Sequence, residues 1–189
     1  MDTAKQFKQW KEAREVRLWG WQIILYVTGS WNELLQQKNK ERLLDVQDLI
    51  LLVLREGKIA GKTKLQKEVY LTWKEVLNEK YSVDPAFHPY QFGPFSELVD
   101  SMHRTLKLSG KVRIVSKGEG HMTTSILSNG RKQIEIKLAE IELPEGTLDL
   151  LKRKKADWDE WTTKGIERYI YRNYPIFRKY TRARELLWE

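Results

Sequence analysis

Cysteine is absent from all 189 residues. That excludes disulfides, thiolate metal sites and cysteine nucleophiles. Histidine is scarce: His88, His103 and His121 are the only three, and none has a carboxylate or a second histidine at metal-ligand spacing. Long apolar runs are missing as well. The most apolar early stretch, WGWQIILYVTGSW from Trp19 to Trp31, is shorter than the roughly 20 residues that a membrane span needs. It also lies behind a charged helical stretch, too far along for an ordinary signal sequence. The expected compartment is the cytoplasm, with no membrane partner.

Chemistry-bearing constellations are equally thin. Asp157, Asp159 and Glu160 are acidic neighbours, but no second motif completes a metal site with them. Glu135-Ile136-Lys137 has the E-x-K form of some nucleases, yet it falls in a helical pattern rather than on a strand. No serine occupies a nucleophile elbow. The GKT at 61–63 fails as a phosphate loop, because Gly57 and Gly61 enclose three residues where that pattern needs four. The expectation is a protein that is not an enzyme and uses no metal and no cofactor.

What the chain does have is positive charge. Thirty-four Lys and Arg face 26 Asp and Glu, a net charge of +8 and a pI near 9.5. Such a balance favours an anionic partner. The excess is spread thinly, at two, three and three charges over residues 1–41, 42–127 and 128–189. No segment is a polybasic tail, so only folding can assemble a patch.

Residues 4–18 form a basic helical stretch with Phe7, Trp10, Leu18 and Trp21 at helical spacing. This N-terminal arm, residues 1–41, is expected to pack on its own domain or to make a homodimer. Leu43 to Arg55 is the first core helix, with Leu43, Val46, Leu49, Ile50, Val53 and Leu54 inward and Gly57 closing it in the left-handed position. Residues 58–60 suit a short strand. Thr63 is the expected N-cap of a second helix from Lys64 to about Tyr81, with Leu65, Val69, Trp73, Val76 and Leu77 inward and Lys62, Lys64, Lys67 and Lys74 elsewhere. A joint follows, in which Pro85, Pro89, Gly93 and Pro94 forbid a long helix and His88, Tyr90 and Phe92 alternate.

Ser96 then caps a third helix, Glu97 to about Ser109, with Leu98, Val99, Met102 and Leu106 inward and Ser101, Arg104, Lys107 and His103 available to face out. Lys111 to Ser116 and Met122 to Leu127 read as a basic hairpin around a glycine-rich turn. Ser128 is the expected cap of a helix to Leu138 or Ala139. Pro144 opens another to about Lys155, with Trp158 and Trp161 after it. Thr162 or Thr163 caps a further one to Tyr174, and a last helical segment carries Phe177, Tyr180, Leu186, Leu187 and Trp188.

The order helix, short strand, helix, helix, hairpin predicts a mainly α fold with a small β-hairpin: a winged helix-turn-helix core at 42–127, with the helical arm before it and a helical extension at 128–189. In a DNA-reading protein of this shape the third helix enters the major groove. The nucleic-acid contacts expected on that basis are Lys62, Lys64, Ser101, Arg104, Lys107, Lys111, Arg113 and Lys117. Two features oppose it. Glu97 and Asp100 occupy the first turn of the third helix, and the joint before it is about fourteen residues, against three or four in a compact helix-turn-helix.

Two motifs carry a resemblance: Lys64-Leu65-Gln66-Lys67 followed by Val69-Tyr70-Leu71, and Tyr90, Phe92, Gly93, Pro94 and Ser96. In both, the chain resembles Panacea domains, which include the SocA-like antitoxins, and the archaeal and bacterial winged-helix proteins related to them. Phe92 stands where that group has tyrosine. The tail is similar too, at Ser128, Gly130, Arg131 and Lys132 and at Tyr171, Tyr174 and Pro175, although the tyrosines are more closely spaced here. The resemblance spans about residues 43–176. It implies a DNA-binding type of scaffold that some members use to hold a toxin. Two functions are therefore expected: a cytoplasmic DNA-binding transcriptional regulator, homodimeric through the arm or the C-terminal helices, or an antitoxin-like or adaptor module whose partner is a protein.

Overall fold

The fold is laid down around a helix buried on almost every side. In the computed structural model, which describes residues 43–116 and 122–187, this is α1 (Val46–Glu56). It starts three residues later than Leu43 because Asp45 caps it. The Asp45 carboxylate accepts from Asp48 N–H at 2.8 Å, and the Asp48 carboxylate accepts from Asp45 N–H at 3.2 Å, a reciprocal capping box. Leu49 to Val53 are all fully buried. Each such aliphatic side chain contributes about 1.5–3 kcal/mol on burial, and a helix apolar all round has no solvent face to spare. Helices at 97–108, 128–140 and 147–160 close over it.

After α1 the chain does not turn through a left-handed glycine. Gly57 has extended backbone, with φ at 170°. Its value is the missing side chain: a Cβ there would lie 3.1 Å from Asp159 Oδ2 and 3.3 Å from Lys155 Nζ. β1 (Ile59–Ala60) leads into α2 (Lys62–Leu71), whose N-cap is Gly61 rather than Thr63. The same helix runs on through a π-turn (Thr72–Val76), closed by the Leu77 N–H to Thr72 carbonyl bond at 2.9 Å. It stops at Leu77, short of Tyr81, where Asn78 and Glu79 adopt positive φ. Leu65, Val69, Trp73, Val76 and Leu77 are its buried stripe, as their spacing predicts.

The proline-rich joint is a small hairpin, β2 (His88–Tyr90) paired with β3 (Gly93–Phe95). α3 (Glu97–Leu108) follows, capped by the Ser96 hydroxyl, which accepts from Val99 N–H at 3.1 Å. Gly110 ends that segment at φ 67°. β4 (Val112–Ser116) and β5 (Met122–Ile126) form the second hairpin, and β1 joins the far side of β5, giving an antiparallel sheet in the order β1-β5-β4. Two expectations for α3 fail. Leu98 is 44% exposed rather than inward. His103 is buried rather than outward, bonded to the Thr124 hydroxyl at 3.0 Å, and burial holds its pKa below the usual imidazole value.

α4 (Ser128–Glu140) begins one residue before expectation, with Leu127 as N-cap, so Ser128 is its first residue and not its cap. α5 (Thr147–Glu160) starts after Gly146 instead of at Pro144 and continues through the buried Trp158. Thr162 caps α6 (Thr163–Asn173), its hydroxyl accepting from Gly165 N–H at 3.1 Å. The final segment is two short 3₁₀ turns, Pro175–Arg178 and Arg184–Leu187, instead of one helix. The described residues, 43–116 and 122–187, belong to one compact unit, and the expected arm at 1–41 lies outside them. The architecture is mainly helical with a small antiparallel sheet. Among the described residues no helix is long and apolar enough to cross a membrane.

Candidate interaction surface

α2 carries the Lys64-Leu65-Gln66-Lys67 motif, and every one of those side chains points into the molecule. Lys64 is 7% exposed, and its ammonium donates to the Trp161 carbonyl at 2.8 Å and the Asp159 carbonyl at 3.3 Å. Those are the free carbonyls at the end of α5, where a cation is favoured by the helix dipole. Lys64 is thereby removed from the expected nucleic-acid contacts, because its charge is spent on capping α5. Leu65 enters the core. Gln66 acts as a substitute strand: its amide N–H donates to the Ser96 carbonyl and its oxygen accepts from Ser96 N–H, both at 3.0 Å. Lys67 is 2% exposed and donates to the Pro94 carbonyl at 2.9 Å, where an outward position was expected. Burial pushes its pKa down to about 8, and the buried Glu167 carboxylate acts against that shift. Gln66 and Lys67 together therefore seat the β2–β3 hairpin on α2.

One turn further, Glu68 is fully buried between Lys155 Nζ at 3.4 Å and Lys64 Nζ at 3.9 Å. Burial outweighs both cations and raises its pKa to about 7. Glu75, within the π-turn, gathers three donors: the Tyr169 and Tyr174 hydroxyls and the Lys154 ammonium, each at 2.9 Å. The tyrosine-rich ending of α6 is thus tied to α2. The last segment returns to the first hairpin, where Tyr171 meets the Thr181 hydroxyl at 2.7 Å and Arg182 N–H donates to the Gln91 carbonyl at 2.7 Å. These buried polar contacts answer one another across the chain, so the Lys64-Leu65-Gln66-Lys67 motif is built as scaffold.

The remaining predicted contacts divide into two sets. Lys62, about half exposed, lies 2.5 Å from Asp100, and Arg104 binds the same carboxylate. Those two cations pull the Asp100 pKa down against the effect of its partial burial. Ser101 is exposed beside them, its carbonyl accepting from the Thr105 hydroxyl at 3.1 Å. Lys107 in the last turn of α3, Lys111 just before β4 and Arg113 on β4 form the second set; none has an ion pair to a described residue. Lys117 lies outside the described residues.

Sequence reasoning passed over the aromatic face next to this. His88, Tyr90 and Phe95 cluster on the first hairpin, with Tyr90 and Phe95 ring centroids 5.1 Å apart. Tyr90 and Phe92 are 45% and 43% exposed, and Leu98 and Leu108, near the two ends of α3, are exposed as well. The alternation of His88, Tyr90 and Phe92 was the available signal. Among the described residues no group of three His, Asp or Glu is placed to hold a metal ion. No protein-family model matches the chain, and no curated protein does either.

Proposed function

We propose that this chain is a protein-docking module, an adaptor or antitoxin-like protein, on a winged-helix scaffold. The scaffold reading is supported by the order α1, β1, α2, α3, β4, β5 and by β1 pairing along β5. The observation that carries the docking reading is Asp100. It ion-pairs with both Lys62 and Arg104, two of the cations that would meet phosphate, and puts a carboxylate in the first turn of the helix that would enter a groove. Beside it the hairpin offers exposed aromatic side chains, the kind enriched at protein interfaces. The Panacea resemblance points the same way. A second reading, duplex DNA, is favoured by Lys107, Lys111 and Arg113.

The two are separated by one pair of measurements on the full chain. A photo-reactive residue at Leu98 is expected to cross-link a discrete protein in the native cells, and one at Arg113 is not. Binding to a DNA duplex across a salt series is expected to be weak and unaffected by Lys107→Ala combined with Arg113→Ala. A log–log slope near −0.9 per phosphate contact, lost in that double variant, would overturn the docking reading.

A further inference from the structure

We infer that the cleft between the start of α2 and the β2–β3 hairpin takes an acidic peptide segment of the partner protein, a carboxylate side chain next to an aromatic or aliphatic one. This rests on the docking reading and specifies its occupant. The cleft encloses about 180 Å³, below the roughly 300–1,000 Å³ of small-molecule pockets. That size suits one anchoring side chain.

Its walls set the chemistry. Tyr90, Phe92 and Phe95 supply an apolar side, partly open to solvent. Lys67 and Gln66 line the other. Gln66 already pairs with both backbone groups of Ser96. The Lys67 ammonium has three N–H groups, and among the described residues its hydrogen bond is the one to Pro94, with the Glu167 carboxylate acting on it through charge. An entering carboxylate supplies acceptors for the others in a place where water is scarce. Lys62 stands at the mouth, and the first turn of α2 has no acidic residue. Asp100 partly offsets this, yet it faces both Lys62 and Arg104, so two cations to one carboxylate leave the mouth positive.

The hairpin also decides how a peptide would be held. Pro89 and Pro94 sit opposite one another at the strand centres. Proline lacks the N–H that strand addition needs. Recognition therefore falls on side chains in the cleft rather than on backbone pairing. A peptide is favoured over a nucleic-acid strand because its backbone is neutral, whereas successive phosphates would pass Asp100 and Glu97.

The test is fluorescence polarisation with the full chain and a capped, fluorescein-labelled peptide that alternates aspartate with phenylalanine. Saturable binding is expected, roughly tenfold weaker when lysine replaces aspartate in the peptide. Phe92→Ala and Lys62→Glu, both surface changes checked for native helix content, should each weaken it about tenfold, and Lys107→Ala should not. No saturable binding, equal binding of the two peptides, or a Phe92→Ala variant indistinguishable from the parent overturns the inference. So does displacement by a single-stranded oligonucleotide as readily as by unlabelled peptide, which would make this a nucleic-acid site. If cross-links from Leu98 persist in Phe92→Ala and Lys62→Glu, docking stands and the cleft is not its anchor. If they are absent from the parent chain, docking itself fails.

Discussion

β2–β3 precedes α3 and β4–β5 follows it, yet the two hairpins are made and held differently. The first is three residues a strand, with a proline in each and aromatic side chains outward, fastened from beneath by Gln66 and Lys67 of α2. The second is five residues a strand, polar and partly cationic outward, fastened by its own pairing, by β1 and by the His103–Thr124 bond. A hairpin too short to be stable alone is worth anchoring with buried polar contacts only if its position matters. The difference teaches that Gln66 and Lys67 fix the first hairpin in place from beneath.

The largest expected effect concerns the seat of the second hairpin. A Cβ on Gly130 would lie 2.4 Å from the Lys111 carbonyl and 3.0 Å from Leu51 Cδ2. Gly130→Ala should cost about 3 kcal/mol, read as a lower urea midpoint with unchanged slope. If it costs nothing, α4 is not packed where the hairpin begins.

The charges on the inward face of α2 come next. Glu68, with its pKa raised to about 7 from the ordinary 4.5, keeps a proton in the folded state that the unfolded chain has released. Stability should therefore fall as pH rises from about 4.5 through 7, by on the order of 2–3 kcal/mol, since the slope follows the difference in bound protons. Glu167, raised to about 7 by burial, works in the same direction. Lys67, lowered to about 8, works oppositely, adding stability as pH climbs from 8 towards 10.5. Thermal melts of Glu68→Gln against the parent across this range should show a flatter acid-side slope, and identical slopes would refute the assignment.

Gln66→Ala sharpens the comparison directly. It strands both Ser96 backbone groups in a buried place, at a cost of about 2 kcal/mol. Hydrogen exchange should show β2–β3 opening while β4–β5 stays protected, and equal loosening of both would dissolve the distinction drawn above. Smallest of all is Arg104→Ala. Its pair with Asp100 is an exposed i,i+4 contact, so the melting free energy should move by less than about 0.5 kcal/mol.

Local features were legible in the sequence where local chemistry decides them. The Leu65–Leu77 stripe, the Ser96 and Thr162 caps, the brief β1 strand and the β4–β5 hairpin follow from spacing, capping residues and turn glycines. What could not be read are the partners of polar side chains far away in the chain. Lys64 and Lys67 look like an ordinary solvated face until Trp161, 97 residues on, and Pro94, 27 residues on, are seen to supply acceptors. Thr63 and Ser128 look like caps because hydroxyls usually are, but Gly61 and Leu127 occupy the boundaries here. Of the expected site, Lys62, Ser101 and Arg104 gather around Asp100 and Lys64 leaves it. The aromatic face was passed over because exposure of Tyr90 and Phe92 depends on which side of a short hairpin meets α2.

The π-turn at Thr72–Val76 holds one residue more than a regular α-turn would. Every side chain after it is swung by about 100°, and Glu75, inside the turn, faces the tyrosines of α6. Homologues without that extra residue would fall out of step with this chain from Thr72 onward in any ungapped alignment, so the joint and its aromatic residues would be compared with the wrong positions. Allowing a single gap there, and counting which sequences then recover both an acid at 75 and the two tyrosines, is a way of tracing descent that overall similarity would overlook.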